Sequence, residues 1–216
     1  MIRVALILLL SAAQAQAGAW PRAEGETFLS FAVESDLESG ITDGSGGYAT
    51  VYLERGLARD LTLGLDVGGH KTDLAKAIGF LRWPMGVGGG ADVWAMEFGL
   101  GLADGAFALR PGLSYGRGLS LGRTPAWLAV DSRALIFDDL DGVLETDLTL
   151  GLKPRPDHML IMQVQTSAPT ERDTRASIAP SYVFEISPGR HLEIGMTAGI
   201  VAASEVKIKL GLWHSF

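Results

Sequence analysis

Residues 206–216 read VKIKLGLWHSF. Val206, Ile208, Leu210 and Leu212 take every second place, and Lys207, Lys209 and Gly211 fill the places between. Successive side chains of a strand point to opposite faces, so this stretch has one apolar face and one charged face. It ends on an aromatic residue, Phe216. Such a strand fits poorly at the close of a soluble domain. It fits well as the closing strand of a β-barrel whose outer face meets lipid.

The same alternation recurs upstream. Leu29, Phe31 and Val33 oppose Ser30, Ala32 and Glu34; Ala49, Val51 and Leu53 oppose Thr50, Tyr52 and Glu54; Leu61, Leu63, Leu65 and Val67 oppose Thr62, Gly64, Asp66, Gly68 and His70. Residues 75–85 alternate least clearly, because the phase that turns Arg82 inward also turns Ile78 and Phe80 inward. Trp94, Met96, Phe98, Leu100 and Leu102 then oppose Ala95, Glu97, Gly99 and Gly101. In residues 107–115, Leu109, Leu113 and Tyr115 oppose Arg110, Gly112 and Ser114, and Pro111, which has no N–H to donate, predicts a bulge or a locally irregular pairing. Four more segments follow before the last, at 126–137, 144–153, 159–166 and 176–186, and a fifth at 192–200. The total is about twelve segments of roughly ten residues, the even number that bacterial outer-membrane barrels use. The expected fold is all-β, a transmembrane antiparallel up-and-down barrel over residues 18–216, with the last strand pairing the first.

Composition points the same way. Hydrophobic residues make up 47% of the 216-residue chain and the formal net charge is −7, which argues against a nucleic-acid partner. After the first residues no run reaches the roughly 18 apolar positions of a spanning helix. Apolar content is instead spread at period two, as suits strands that show lipid one face. With no Cys, disulfides, thiolate metal sites and cysteine catalysis are excluded.

Residues 1–17 read as a secretory leader. Arg3 is the basic start, residues 4–10 the apolar core, and Ala13, Ala15 and Ala17 offer small-residue sites, with cleavage expected after Ala17. The apolar run is too short to span a bilayer. Counted from a periplasmic start, the polar stretches 35–47 and 167–174 fall outside the cell, and the short turns at Arg59–Asp60 and Pro188–Gly189 fall in the periplasm.

A soluble sandwich or lipocalin-like barrel is the competing architecture. There the polar faces would meet solvent, and their many glycines (Gly64, Gly68, Gly99, Gly101, Gly112, Gly151, Gly195, Gly199) would be odd. They are natural in a narrow barrel interior.

The C-terminal stretch resembles the assembly signal of outer-membrane β-barrel proteins. Ile208, Leu210, Leu212 and Phe216 match it, and His214 departs from it. The resemblance implies outer-membrane lipid as surroundings and the barrel-assembly machinery as a partner of the last strand. The segment 52–68 (YLERGLARDLTLGLDVG) is similar to a hairpin of barrels related to the phenol-degradation meta-pathway transporter-like family, which implies a porin-like or transport role.

The face opposite lipid carries Glu34, Glu54, Asp66, Glu97, Asp131, Glu145, Asp147, Glu185 and Glu193, joined by Arg82, Arg110, Arg133, Lys153, Lys207 and Lys209. Two readings follow. One is an acidic-biased, water-filled passage for cations or small polar solutes. The other is a network of internal pairs that plugs the lumen, because an unpaired buried charge is costly.

Other motifs carry less. The sequence GLSYG around Ser114 matches a nucleophile elbow, yet that motif works at a strand-to-helix turn and this one lies within a strand. A lipid hydrolase of the Ser–His–Asn type is not available, since the chain contains no Asn. His70, His158, His191 and His214 lack metal-ligand spacing. Asp138, Asp139 and Asp141 read as a solvated acidic turn, and Gly86, Gly88, Gly89 and Gly90 lack the Lys of a phosphate loop. No metal or cofactor is expected. The function expected is a narrow channel or passive transporter; the alternative is a structural or interaction barrel with a charge-plugged lumen, and behind it a membrane lipid hydrolase in which an Asp or Glu replaces the Asn that orients a His.

Overall fold

The computed structural model describes residues 18–37, 47–71, 73–86, 91–138, 141–202 and 205–216. The expected leader, most of the first polar loop, Gly88, Gly89, Gly90 and Asp139 lie outside the described residues. Twelve strands follow one another: β1 (Thr27–Asp36), β2 (Tyr48–Gly56), β3 (Thr62–His70), β4 (Asp73–Met85), β5 (Asp92–Ala103), β6 (Ala106–Leu121), β7 (Thr124–Phe137), β8 (Gly142–Arg155), β9 (His158–Pro169), β10 (Arg175–Ser187), β11 (Arg190–Val201) and β12 (Val206–Ser215).

Every strand pairs antiparallel with its sequence neighbours, and β12 pairs with β1, so the sheet closes. The closing register sets Phe31 against Leu212 and Glu34 against Lys209. Thr27 N donates to Phe216 O (2.7 Å) and Phe216 N to Thr27 O (2.9 Å), completing the seam. In hydrocarbon no water satisfies a strand's backbone, so only a closed ladder is tolerated there.

Alternation decides which way each residue faces. Phe31, Leu65, Met96, Phe98, Leu100, Leu148, Ile194 and Leu210 are exposed on the outer wall. Ala32, Glu54, Asp66, Arg82, Glu97, Arg110 and Glu193 are buried within. Large apolar side chains outside and ionised ones inside invert the soluble pattern, and this excludes the sandwich reading.

β4 shows how the weak alternation resolves. Ile78 and Phe80 do point inward and are almost wholly buried. Phe80 is flanked across the ladder by Gly64 on β3 and Gly99 on β5, and Ile78 faces Gly101. A side-chain carbon on Gly64 would lie 2.0 Å from Phe80 Cζ, so the ring occupies the space that glycine vacates. Trp127 repeats the device at Gly151 on β8, where an added carbon would lie 2.0 Å from the indole.

The strands depart from the sequence reading in their details. No bulge forms at Pro111, where the β5 register runs unshifted through Phe98↔Pro111; the irregular pairing expected there lies on the β7 side, where Arg110 and Pro111 have no register partner between Leu109↔Ile136 and Gly112↔Arg133. β4 begins two residues before the segment read at 75–85 and ends with it at Met85, and β9 reaches Pro169, so the polar connection there shortens to residues 170–174. β8 runs past the segment read at 144–153 to Arg155, with a register shift between Leu152 and Arg155 where Pro154 sits. Connection length also sorts less cleanly than expected. The short links at 71–72 and 104–105 share an end with the long stretch 37–47, while the link at 86–91 joins the end where Thr27 and Phe216 meet. That second end is called the terminal end below, and the first the loop end.

Candidate functional site in the barrel lumen

Ahead of β1 the chain does not leave the barrel. From Thr27 it turns back at the terminal end, where Gly25 N donates to Gly56 O and Glu26 N to Ala23 O, both at 2.9 Å. It then enters the lumen. Gly56 permits the close approach, since a carbon there would lie 2.0 Å from Ala23 O. Arg22 and Ala19 are buried, and Trp20 packs on Gly116 and against the cluster of Trp127, Ala129, Met159, Ile161 and Val183. Trp213 closes on the same cluster from β12.

Arg22 begins a chain of alternating charges along the β2–β6 wall. Its Nε lies 2.7 Å from Glu54 Oε2. Glu54 Oε1 accepts from Arg82 Nη1 at 2.5 Å, and Arg82 Nη2 reaches Glu97 Oε2 at 2.7 Å. Arg110 spans Glu97 (2.9 Å) and Asp66 (2.6 Å), and Lys76 Nζ ends the series 2.9 Å from Asp66. Tyr52 donates its hydroxyl to Glu54 Oε1 at 2.7 Å and accepts from Arg82 Nη2 at 3.0 Å. The Phe80 ring lies beneath both Arg82 and Arg110, at 5.1 and 5.2 Å. Each acid in the series touches two cations, which is what makes burial of so many charges tolerable.

The opposite wall is built otherwise. Thr149, Gln163, Gln165 and Ser177 form a neutral polar stripe across β8, β9 and β10. Gln163 Nε2 donates to Thr149 Oγ1 (3.0 Å), Gln165 to Gln163 (3.4 Å) and Ser177 to Gln165 (3.5 Å). Along this stripe lies a cavity of about 320 Å³ that also touches Gly18, Tyr52, Asp131, Glu193 and Trp213. A second cavity of about 380 Å³ at the loop end is lined by Glu34, Glu145, Arg175, Glu205 and Lys207. The two share Lys76, Arg133, Asp147 and Gln165, so they adjoin.

The remaining charges fall into place around these spaces. Arg133 Nη2 lies 2.9 Å from Asp147 Oδ2, and Ser114 donates to Asp131 at 2.6 Å. Glu193 holds Lys209 (3.0 Å) and accepts from Trp213 Nε1 (3.1 Å), while Lys207 pairs Glu205 (3.0 Å). Lys153 sits on β8 beside its register shift. Glu185 is not enclosed: it is exposed at the terminal end and accepts from Gly189 N at 3.1 Å, because the wall stops there at a tight turn. Among the described residues no cluster of three His, Asp or Glu gathers to hold a metal.

The sequence reading did not single out Trp20, Arg22, Lys76 or Trp127. Residues 18–26 alternate no period, so nothing local marked them as lumen residues. Trp213 was within reach, since it continues the inward phase of Lys207, Lys209 and Gly211.

No protein-family model matches the chain, and no curated protein matches it. Solved structures do. The KdgM porin aligns with a TM-score of 0.65 at 9% identity, covering 88% of this chain and 99% of that one. The NanC porin aligns at 0.64 and 7% identity, covering 87% and 98%. An outer-membrane channel from Pseudomonas putida F1 aligns at 0.63 and 10% identity, covering 93% and 99%. At such identities the likeness concerns the backbone alone, and the fold it shows is that of outer-membrane porin barrels.

Proposed function

We propose that the protein is a narrow outer-membrane channel that passes small polar solutes by diffusion along one side of its lumen. The observation that carries this reading is the pair of adjoining cavities. They follow the Gln163–Gln165–Ser177 wall, while the charges of the opposite wall are spent on one another. Acids and bases lining the two spaces nearly balance, seven Asp or Glu against six Lys or Arg. The acidic bias of the whole chain is therefore not the bias of the passage. Selection rests on size and hydrogen bonding more than on charge sign. A porin structure solved with a disordered oligogalacturonate is among the similar folds, so barrels of this shape accept polar solutes.

The reading includes export by the leader and insertion into the outer membrane through the terminal strand. It includes no catalytic step. Ser114 lies within a strand and donates to the carboxylate of Asp131 rather than to an imidazole, so the Ser–His pairing of a serine hydrolase is not assembled there.

One observation favours a plugged structural barrel instead: Trp20 and Arg22 occupy the terminal end of the lumen. Planar-bilayer recording separates the two readings. Folded protein that gives resolved single-channel steps, together with liposome swelling in small sugars, supports the channel. Folded protein that gives neither removes it.

A further inference from the structure

Three lumen acids, Glu34, Asp131 and Glu145, have no cationic side chain within 4.0 Å among the described residues; Glu34 and Glu145 line the loop-end cavity, and Asp131 is the one that faces Gly18. Glu54, Asp66, Glu97, Asp147 and Glu193 each lie within 3.0 Å of a cationic side chain. Among the described residues no Lys, Arg or His side chain lies within 4.0 Å of Asp131, and its hydrogen bond comes from Ser114. An ionised carboxylate inside a barrel is costly without a counter-charge.

What faces it is Gly18. A carbon built in place of the missing side chain would lie 2.6 and 2.7 Å from the two Asp131 oxygens. Covalent geometry then puts the Gly18 nitrogen within about 5 Å of that carboxylate. Gly18 is buried, its φ is +93°, and it is the residue that follows the expected cleavage position. A side chain at this position would meet the Asp131 oxygens.

We propose that the α-ammonium of Gly18, freed when the leader is removed after Ala17, is the counter-cation of Asp131. This ion pair latches residues 18–26 inside the lumen. The chemistry is a hydrolysis by a leader peptidase. Water adds across the Ala17–Gly18 peptide bond, Ala17 keeps a carboxylate, and Gly18 keeps an amine that is protonated at neutral pH. Before cleavage that nitrogen is an uncharged amide and offers Asp131 no counter-charge. After cleavage the segment carries two cations for two wall acids, its terminus for Asp131 and Arg22 for Glu54. Processing thus completes the charge balance of the interior. The latch holds whatever solute the lumen passes, so it stands or falls apart from the channel reading.

The test uses full-length protein expressed with its leader and purified folded from outer membranes. Intact mass should report Gly18 as the first residue. A reagent selective for α-amines near neutral pH should label the native protein about tenfold or more slowly than the same protein unfolded in urea. Folded Asp131→Asn should lose most of that protection. A second variant, with Gly-Ser inserted between Ala17 and Gly18, leaves every barrel residue in place but moves the amine away. It should label at close to the unfolded rate. A mass that starts at another residue overturns the proposal. So does a native rate equal to the unfolded one, or protection that survives in both variants.

Discussion

Arg22 Nε lies 2.7 Å from Glu54 Oε2, and both side chains are almost wholly buried. This contact ties a segment that belongs to no strand to the wall of the barrel. It also makes Glu54 the hinge between that segment and the charge series, since its other oxygen holds Arg82.

Glu54→Gln should therefore destabilise the barrel more than an ordinary substitution. It leaves two buried guanidinium groups without their shared carboxylate, a loss on the order of 3–5 kcal/mol. Urea unfolding in lipid vesicles should show a lower midpoint. The double variant Arg22→Met with Glu54→Gln should recover part of it, because one orphaned charge is then gone.

Gly64→Ala should clash with the Phe80 ring, whose Cζ stands 2.0 Å from the added carbon. Overpacking of this kind costs about 1–3 kcal/mol. Pairing it with Phe80→Leu should relieve the clash, so the two changes should be non-additive in the same unfolding measurement. Additive losses would mean that the ring does not fill the glycine's space.

The outer wall should respond by depth. Leu148 lies near the middle of β8 and Ile186 next to the end of β10, both exposed. In a lipid-facing wall Leu148→Arg should cost about 2–4 kcal/mol and Ile186→Arg about 0–1 kcal/mol. Equal losses, measured by reversible unfolding in vesicles, would argue against a bilayer around this face.

Phe216 offers a separation of assembly from stability. Its backbone bonds with Thr27 close the seam at 2.7 and 2.9 Å, and they do not involve the ring. Its side chain is largely exposed. Phe216→Ala should leave the unfolding midpoint of refolded protein nearly unchanged. The yield of heat-modifiable barrel in outer membranes should fall severalfold, since the ring is the part the assembly machinery would read.

Much of the wall was legible because a strand's side chains alternate by local geometry alone. Leu210 and Lys209 declare opposite faces without knowledge of any neighbour. The closing pair β1–β12 followed from strand parity, and in the structure the adjacent last two strands bring Glu193 to Lys209. β4 was hard to read because its inward apolar pair makes sense only beside the glycines of other strands. Glu185 had the right phase, but phase does not say where a wall ends.

The sequence by itself determined that there are about twelve strands, the face of most residues and the closure of the sheet. These follow from a period of two and from the need to satisfy every backbone group in lipid. Only the tertiary structure decided which charges meet, such as Arg110 with Asp66, 44 positions apart. It alone decided that residues 18–26 fold back into the lumen and leave the open space on the Gln163–Gln165 side. Those outcomes depend on register between distant strands and on the path of a segment with no period. Neither is encoded in the alternation that makes the wall readable.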